Sequence, residues 1–415
     1  MKRVIGYLGS KVKLHDFIKK IILKDIKEKK VFVDLFAGTC SVGKLVQNET
    51  NLDIISNDIA KYSKILFSEL EIFTKLTLEE QNKIKKKLLY LNNLKIDKNK
   101  ESGIFFNEFS MEGNPQTITN NDIFDVKKKI KDDKGNIIEI KENRQPIGSK
   151  TSRMFFKSEV GKKIDLIKDY LKDNDDITKE EESIILLFLL NFADKNSNTT
   201  SVFGAYLKED KLKRIKPFFD EDLFEYLKLK SKEEKIKTKN KRKFTHYVNF
   251  AEKTLDIIKK NTNITKEKTI IYIDPPYSTR SYESNYHILE YLIDLDFDPI
   301  KTIKENSKSG TKKEKSNNPF VSKQKTFDIF KEIIYKSLEV SNDVYISYST
   351  DKTSLMKQSD IVSILMDINQ KENRQIKLNT YFQDYKRFTS GENGGINNNE
   401  KNKISEVIWH ISEGR

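Results

Sequence analysis

Val31-Phe32-Val33-Asp34-Leu35-Phe36-Ala37-Gly38-Thr39-Cys40-Ser41-Val42-Gly43 is the stretch on which the fold turns. Val31 to Phe36 is a short apolar run of strand formers that carries an acid, then opens into a glycine turn and a helical stretch. Ile54-Ile55-Ser56-Asn57-Asp58 follows about 20 residues after the first acid and reads as a second strand ending in another acid. Strand, glycine turn, helix, strand, acid is the first half of a doubly wound α/β sheet. Taken by itself, the stretch also reads as an ordinary tight βα turn. Gly38 and Gly43 do not make Gly-x-Gly-x-x-Gly, and no Lys-Ser/Thr pair follows them. A dinucleotide fingerprint and a P-loop are therefore set aside.

Upstream, Leu14 to Ile26 has apolar residues at helical spacing and ends in Lys27-Glu28-Lys29-Lys30. The pattern changes between residues 95 and 245. There, Lys127 to Lys141 reads as a charged hairpin turning at Asp133-Lys134-Gly135-Asn136. Lys162 to Leu171 and Glu181 to Phe192 read as helices, and Asn196 to Tyr206 as a loop or hairpin. Lys228 to Lys243 is nearly all charge, a solvated helix or a disordered face. The α/β pattern resumes near residue 246 and runs through a strand at Val344 to Ser349. Ile303 to Lys325 is polar and lysine-rich, and a mobile loop is expected there. No internal repeat is visible.

The chain of 415 residues has 36% hydrophobic residues and a formal net charge of +14, with a mean hydropathy of −0.65 and a pI of about 9.2. The apolar residues cluster in periodic runs, which implies a folded core under a charged surface. Such a balance favours a polyanionic partner, nucleic acid first. A Lys-, Asn- and Ile-rich proteome produces the same balance with no such partner. The single cysteine, Cys40, excludes an internal disulfide framework and suggests a reducing compartment. His15, His246, His287 and His410 show no metal-ligand spacing, so no metal is expected. No signal peptide and no membrane-length apolar stretch is visible, which leads us to expect a soluble cytoplasmic protein with no membrane partner.

Thr269-Ile270-Ile271-Tyr272-Ile273-Asp274-Pro275-Pro276-Tyr277 is the most specific stretch. A buried strand delivers an acid, two prolines and an aromatic ring to its end, and the prolines stop the sheet in one rigid shape. A structural Pro-Pro turn closing a strand is the plain alternative. The Asp-Pro-Pro-Tyr tetrad resembles the catalytic motif of DNA amino-methyltransferases acting on the exocyclic nitrogen of adenine. Val33 to Thr39 looks like motif I of S-adenosylmethionine-dependent methyltransferases. Tyr7-Leu8-Gly9-Ser10-Lys11-Val12-Lys13-Leu14 is similar to motif X of the Dam- and DpnM-type, α-group enzymes. The resemblance covers residues 1 to about 95 and 150 to 350.

The resemblance implies a Rossmann-like doubly wound methyltransferase sheet with an inserted, mostly helical target-recognition region. Residues 1–95 and 246–415 would form the catalytic domain and 96–245 the recognition insert. It implies S-adenosylmethionine as cofactor, held by Tyr7, Lys11, Asp34, Phe36, Ala37, Gly38, Thr39, Asp58, Phe250 and Asp274. Asp34 would meet the cofactor's ammonium group, and Asp58 its ribose hydroxyls. Glycine is usual in the family where Cys40 stands, so cofactor affinity is the property that this departure bears on.

The family flips its target adenine out of the duplex. Its amine then donates to the acid and to the first proline's carbonyl, here Asp274 and Pro275, with Pro276 fixing the turn. Tyr277 would stack on the flipped ring, repaying roughly 1–3 kcal/mol of unstacking by analogy with single-strand binders. Cys40 lies in the cofactor turn and so is a poor thiolate nucleophile for cytosine carbon-5 chemistry. An Asp rather than Ser or Asn leading the tetrad favours DNA adenine over cytosine N4 or RNA; a silent DNA-binding subunit is the reading from another class. Double-stranded DNA is the expected partner and a cognate restriction endonuclease the second one to look for, in a bacterial or phage-encoded setting.

For recognition, the segment from Asp194 to Tyr206 resembles the hairpin that Dam-type enzymes press on DNA. Asn196 and Asn198 would read adenine edges, while Lys195, Lys208, Lys211, Lys213 and Arg214 neutralise phosphates. Arg280 would touch a phosphate and Tyr282 the surroundings of the flipped nucleotide. An exposed loop with incidental aromatic and basic residues is the plain alternative for both sets.

Overall fold

A computed structural model describes residues 3–7, 9–24, 26–96, 103–119, 125–131, 136–143, 152–200, 202–212, 214–238, 242–277, 282–313, 318–320, 322–351, 354–386 and 403–413. The chain divides into two compact units. One comprises residues 1–7, 76–226 and 283–316, and the other comprises residues 8–75, 227–282 and 317–415. Residues 76–95 thus group with the middle of the chain, and 227–245 with the sheet.

In chain order the strands are β1 Val31–Leu35, β2 Asp53–Asp58, β3 Asp125–Lys131, β4 Ile137–Asn143, β5 Phe244–Val248, β6 Thr269–Ile273, β7 Asp343–Ser349, β8 Ile376–Lys386 and β9 Lys403–Glu413. Seven of them build the sheet of the second unit in the order β5-β2-β1-β6-β7-β9-β8. β5, β2, β1, β6 and β7 run parallel, and β9 enters antiparallel between β7 and β8. The expected Rossmann-like sheet is therefore present, and the C-terminal strands β8 and β9 add to what the sequence reading located.

Every residue of β1 and β6 is buried. Parallel strands covered on both faces must be apolar throughout, which is why these two were legible as continuous runs. Side-chain alternation divides them between two cores. Val31, Val33, Leu35, Ile271 and Ile273 pack with residues of helices Ala251–Lys259, Lys323–Val340 and Gln358–Glu372. Phe32, Ile270 and Tyr272 pack with those of His15–Ile22 and Ser41–Glu49 on the other face. Asp34 shares the parity of Phe32, so it faces the helix Ser41–Glu49.

The chain winds outward from β1 through β2 to β5, then returns to the other side of β1 with β6. The order thus reverses between β1 and β6, whose last residues, Leu35 and Ile273, are register partners. The crevice outside the carboxyl ends at such a reversal is where open α/β sheets bind ligands.

The first unit contains helices Leu78–Asn93, Ile104–Phe109, Ser158–Asp173, Lys179–Lys195 and Pro299–Thr302 with most of Tyr282–Ile293, plus the antiparallel pair β3–β4. That pair agrees with the expected charged hairpin, although residues 133–135 of its turn lie outside the described residues. Glu221–Thr238 is a helix, which settles the open choice for most of that charged stretch.

The expected mobile loop at 303–325 is corrected for the residues from 303 to 313. Ile303 is fully buried and bridges Lys312. Arg153, also fully buried, donates from Nη2 and Nε to the Ser307 carbonyl at 2.9 and 3.1 Å. The carbonyls of Ser309 and Gly310 are held by His287 and Tyr291 at 2.6 and 3.1 Å. Polar composition here supplies backbone acceptors for buried donors. Residues 314–317 and 321 lie outside the described residues.

Candidate active site

The carboxyl edge of β1 and β6 is built from backbone that few residues tolerate. Phe36 follows β1 at φ 65° and Gly38 sits at φ 53°. The left-handed region is natural for glycine and costs a bulky side chain energy. Phe36 is held there by an edge-on contact with Phe320, ring centroids 5.5 Å apart. Cys40, at φ 58°, caps the helix Ser41–Glu49. Its position explains why glycine suits it. The thiol is fully buried between Ser56 and Ser63, 3.7–3.8 Å from their oxygens. Burial pushes it up to about 12.

Three carboxylates gather along this edge. Asp34 accepts the Gly43 amide at Oδ2, 3.0 Å away, while Oδ1 has no hydrogen bond among the described residues. Burial, then the nearby Asp274 charge, raises its carboxyl well above the usual range. Asp58 accepts the Gly38 amide at Oδ2 (2.7 Å) and the Ala60 amide at Oδ1 (2.8 Å), so it braces the turn that the glycine makes. Burial raises its carboxyl too. Ala37 is tied to β2 through the Asn57 carbonyl at 2.8 Å, and Thr39 is half-buried beside it. Phe250 is half-buried just after β5 under the Lys253 ammonium, and its neighbour Asn249 donates to the Asp58 carbonyl.

The third carboxylate is Asp274. Its amide makes the last contact with β1, 3.4 Å from the Leu35 carbonyl. Pro275 and Pro276 have no amide to continue the ladder. The Leu355 amide and the Tyr348 hydroxyl both donate to the Tyr277 carbonyl, pinning the far end of the tetrad. Oδ1 of Asp274 receives the Tyr277 hydroxyl at 2.7 Å and lies 3.1 Å from Lys11 Nζ. Neither Oδ2 of Asp274 nor the Pro275 carbonyl has a hydrogen-bond donor among the described residues. The Asp274 side chain keeps 18% exposure. Burial pushes its carboxyl up to about 6, Lys11 opposes that rise, and Glu406 adds to it.

A family model described as D12 class N6 adenine-specific DNA methyltransferase matches residues 7–364. The chain belongs to that family. It is 27% identical to the Type II methyltransferase M.NlaIII of Neisseria lactamica over 99% of both chains. It is also 27% identical to the Type II methyltransferase M.FokI of Planomicrobium okeanokoites, over 98% of this chain and 52% of that one. With Modification methylase LlaI of Lactococcus lactis subsp. lactis the identity is 25%, over 98% of this chain and 55% of the other. The chain therefore spans about half of two of these relatives and nearly all of the third.

For a D12 class chain, the remaining expected residues are placed as follows. Lys11 is 4% exposed, with its ammonium shared among Asp274, Glu406 and the Tyr277 hydroxyl. Tyr277 is half-buried next to Lys11. Its hydroxyl turns inward to Asp274 and Glu406, and its ring lies 4.7 Å from that of Tyr348 and 4.6 Å from Lys11 Nζ. Tyr282 is half-buried, with its hydroxyl 3.3 Å from where a Cβ on Gly9 would stand. Burial, then Asp274, pushes that hydroxyl up to about 12. Tyr7 belongs to the other unit, where it stacks on Tyr286 at 4.5 Å. Arg280 and Lys213 lie outside the described residues.

The expected base readers of this D12 class chain are corrected. Asn196 is fully buried, donates to the carbonyls of Phe192 (2.8 Å) and Lys216 (3.2 Å), and accepts the Lys216 amide (2.7 Å). Asn198 is 1% exposed, donates to the carbonyls of Met154 and Leu207, and accepts the Lys211 amide. Each side-chain amide is committed to loop backbone, so neither presents an edge to a base. Lys195 is paired with Asp220. Arg214 is exposed with no partner among the described residues.

Sequence reasoning missed Glu406. It lies on β9, fully buried, and its Oε1 accepts from Lys11 Nζ (2.8 Å), the Tyr277 hydroxyl (2.6 Å) and Ser347 (2.6 Å). The signal was an acid directly before Val407-Ile408-Trp409, in a run otherwise suited to a core strand.

Proposed function

We propose that this chain moves a methyl group from S-adenosylmethionine to the exocyclic N6 amine of an adenine flipped out of double-stranded DNA. One observation carries the reading: Asp274 Oδ2 and the Pro275 carbonyl, flanking one rigid bond, both lack donors among the described residues. An exocyclic amine has two N–H groups to give them. Accepting both favours tetrahedral character at nitrogen and frees its lone pair. Tyr277 and Lys11 hold Oδ1 and thereby fix the carboxylate plane.

The residues at the β1 turn fit a cationic cofactor. Asp34 has an oxygen without a partner among the described residues, and the mutual repulsion of Asp34 and Asp274 is relieved by positive charge between them. Asp34 would hold the ammonium group, and Phe36, Ala37, Gly38 and Thr39 would present backbone to it. Asp58 would keep a lone pair for ribose while bracing the turn, and Phe250 would cover the adenine. When bound, S-adenosylmethionine supplies the electrophilic methyl.

In this reading residues 1–95 and 246–415 do the chemistry, and 96–245 recognise the target. Arg214, Lys208 and Lys211 would face phosphates, and Tyr282 the flipped nucleotide. The protein would act in the cytoplasm, protecting DNA against a cognate endonuclease. Incubating DNA and RNA with the protein and labelled cofactor, followed by nucleoside mass spectrometry, tests the reading. N6-methyladenine from duplex DNA is expected; label confined to N4-methylcytosine or to RNA would overturn it.

A further inference from the structure

Lys11 and Tyr277 each face two carboxylates, and the second one is not in the tetrad. Tyr277 has a single hydroxyl proton, yet its oxygen lies 2.7 Å from Asp274 Oδ1 and 2.6 Å from Glu406 Oε1. Lys11 Nζ is 3.1 Å from Asp274 and 2.8 Å from Glu406. In both cases Glu406 is the nearer acceptor. An acid in the middle of a sheet is costly to keep, and it persists only when its lone pairs are filled. Here three donors converge on one oxygen, the third being Ser347 on the adjacent β7. Glu406 pairs in register with Ser349, so its position follows from the antiparallel entry of β9 beside β7.

We propose that Glu406 is a positioning residue of the methyl-transfer site: it draws the Lys11 ammonium and the Tyr277 hydroxyl toward itself and so keeps Asp274 a strong acceptor for the amine. The inference rests on the proposed role of Asp274. Without Glu406, Asp274 would be the sole remaining one of these two carboxylates on Lys11. The ion pair would tighten, and the tyrosine proton would pass wholly to Asp274. A carboxylate so satisfied competes poorly for an adenine N–H. The charged and titratable groups acting on Asp274 are Lys11, Glu406, Tyr277, Asp34, Tyr272 and Tyr282. Of these, Glu406 and Asp34 make its proton harder to lose, and Lys11 and Tyr277 make it easier.

The test is the pH dependence of methyl transfer in the full-length protein carrying Glu406→Gln, Ser347→Ala or Asp274→Asn. The wild type should lose activity on the acid side near pH 6. Glu406→Gln is expected to move that limb down by about one unit, since a like charge near Asp274 is removed. The maximal rate should fall about tenfold, with the KM for cofactor little changed. Ser347→Ala removes one of the three donors on Glu406 Oε1 but keeps its charge, so Lys11 and Tyr277 are drawn further from Asp274 and the limb should shift the opposite way, by less. An unshifted limb in both variants, or a rate loss that only follows the unfolded fraction, would overturn the inference. Should Asp274→Asn itself turn over normally, the reading of the site fails first. An inactive Asp274→Asn beside an unshifted Glu406→Gln would sink the positioning role alone.

Discussion

Asn196→Ala separates a structural amide from a base reader, because the two roles have opposite signatures. In the structure the side chain makes three hydrogen bonds to backbone at 2.7, 2.8 and 3.2 Å, with no exposure. The Phe192 carbonyl retains the Asn196 amide at 3.1 Å, so its loss is partial. At about 1 kcal/mol net for each bond, plus the small void left behind, the substitution should cost about 2–4 kcal/mol. A unit of roughly 200 residues loses about 2–4 °C per kcal/mol, giving a melting shift of roughly 5–15 °C. Calorimetry reads the shift, and single-molecule sequencing of methylated DNA reads the target. The variant is expected to melt low yet, at reduced temperature, to modify the wild-type sequence. A wild-type melting curve with a changed target sequence would refute the structural assignment and restore Asn196 as a reader.

Cys40 should resist aromatic disulfide reagents in the native protein and react on unfolding, since its thiol is buried and pushed up to about 12; rapid native labelling would contradict that placement. Arg153→Leu strands the Glu108 carboxylate, 2.6 Å from the guanidinium and 1% exposed. It should cost about 3–5 kcal/mol and speed hydrogen exchange across residues 303–313, and unchanged exchange there would count against the anchor. The Asp274 carboxyl titrates near 6 when folded and near 4 in an unfolded chain. Its contribution to stability is therefore complete below about pH 4 and lost as pH rises through about 6. Asp274→Asn should melt above the wild type at pH 8, with the gap closing by pH 4; a lower melting point at pH 8 would reverse the sign argued here.

What the sequence showed and what it hid divide along a physical line. β1 and β6 were legible because strands buried on both faces carry their environment in their own composition. The tetrad was legible because consecutive prolines leave little conformational choice. Tertiary partners were not legible. Asn196 and Asn198 look alike whether they face a base or a carbonyl, and only the positions of Lys216, Phe192 and Met154 decide. Glu406 acquires meaning through β9 pairing with β7, a strand about 60 residues away in sequence. The stretch from 303 to 313 looked mobile because its anchors, Arg153, His287 and Tyr291, lie outside it. Cys40 stands where glycine is usual, but its inward direction follows from a backbone angle that no residue type discloses.

The central claim is that the outer oxygen of Asp274, with the Pro275 carbonyl, receives the adenine amine. Single-turnover transfer of labelled methyl by Asp274→Asn, with cofactor affinity measured alongside, addresses it most directly. Transfer should slow by roughly 100- to 1,000-fold in enzyme saturated with cofactor. Transfer at close to the wild-type rate, with the cofactor bound, would contradict the claim.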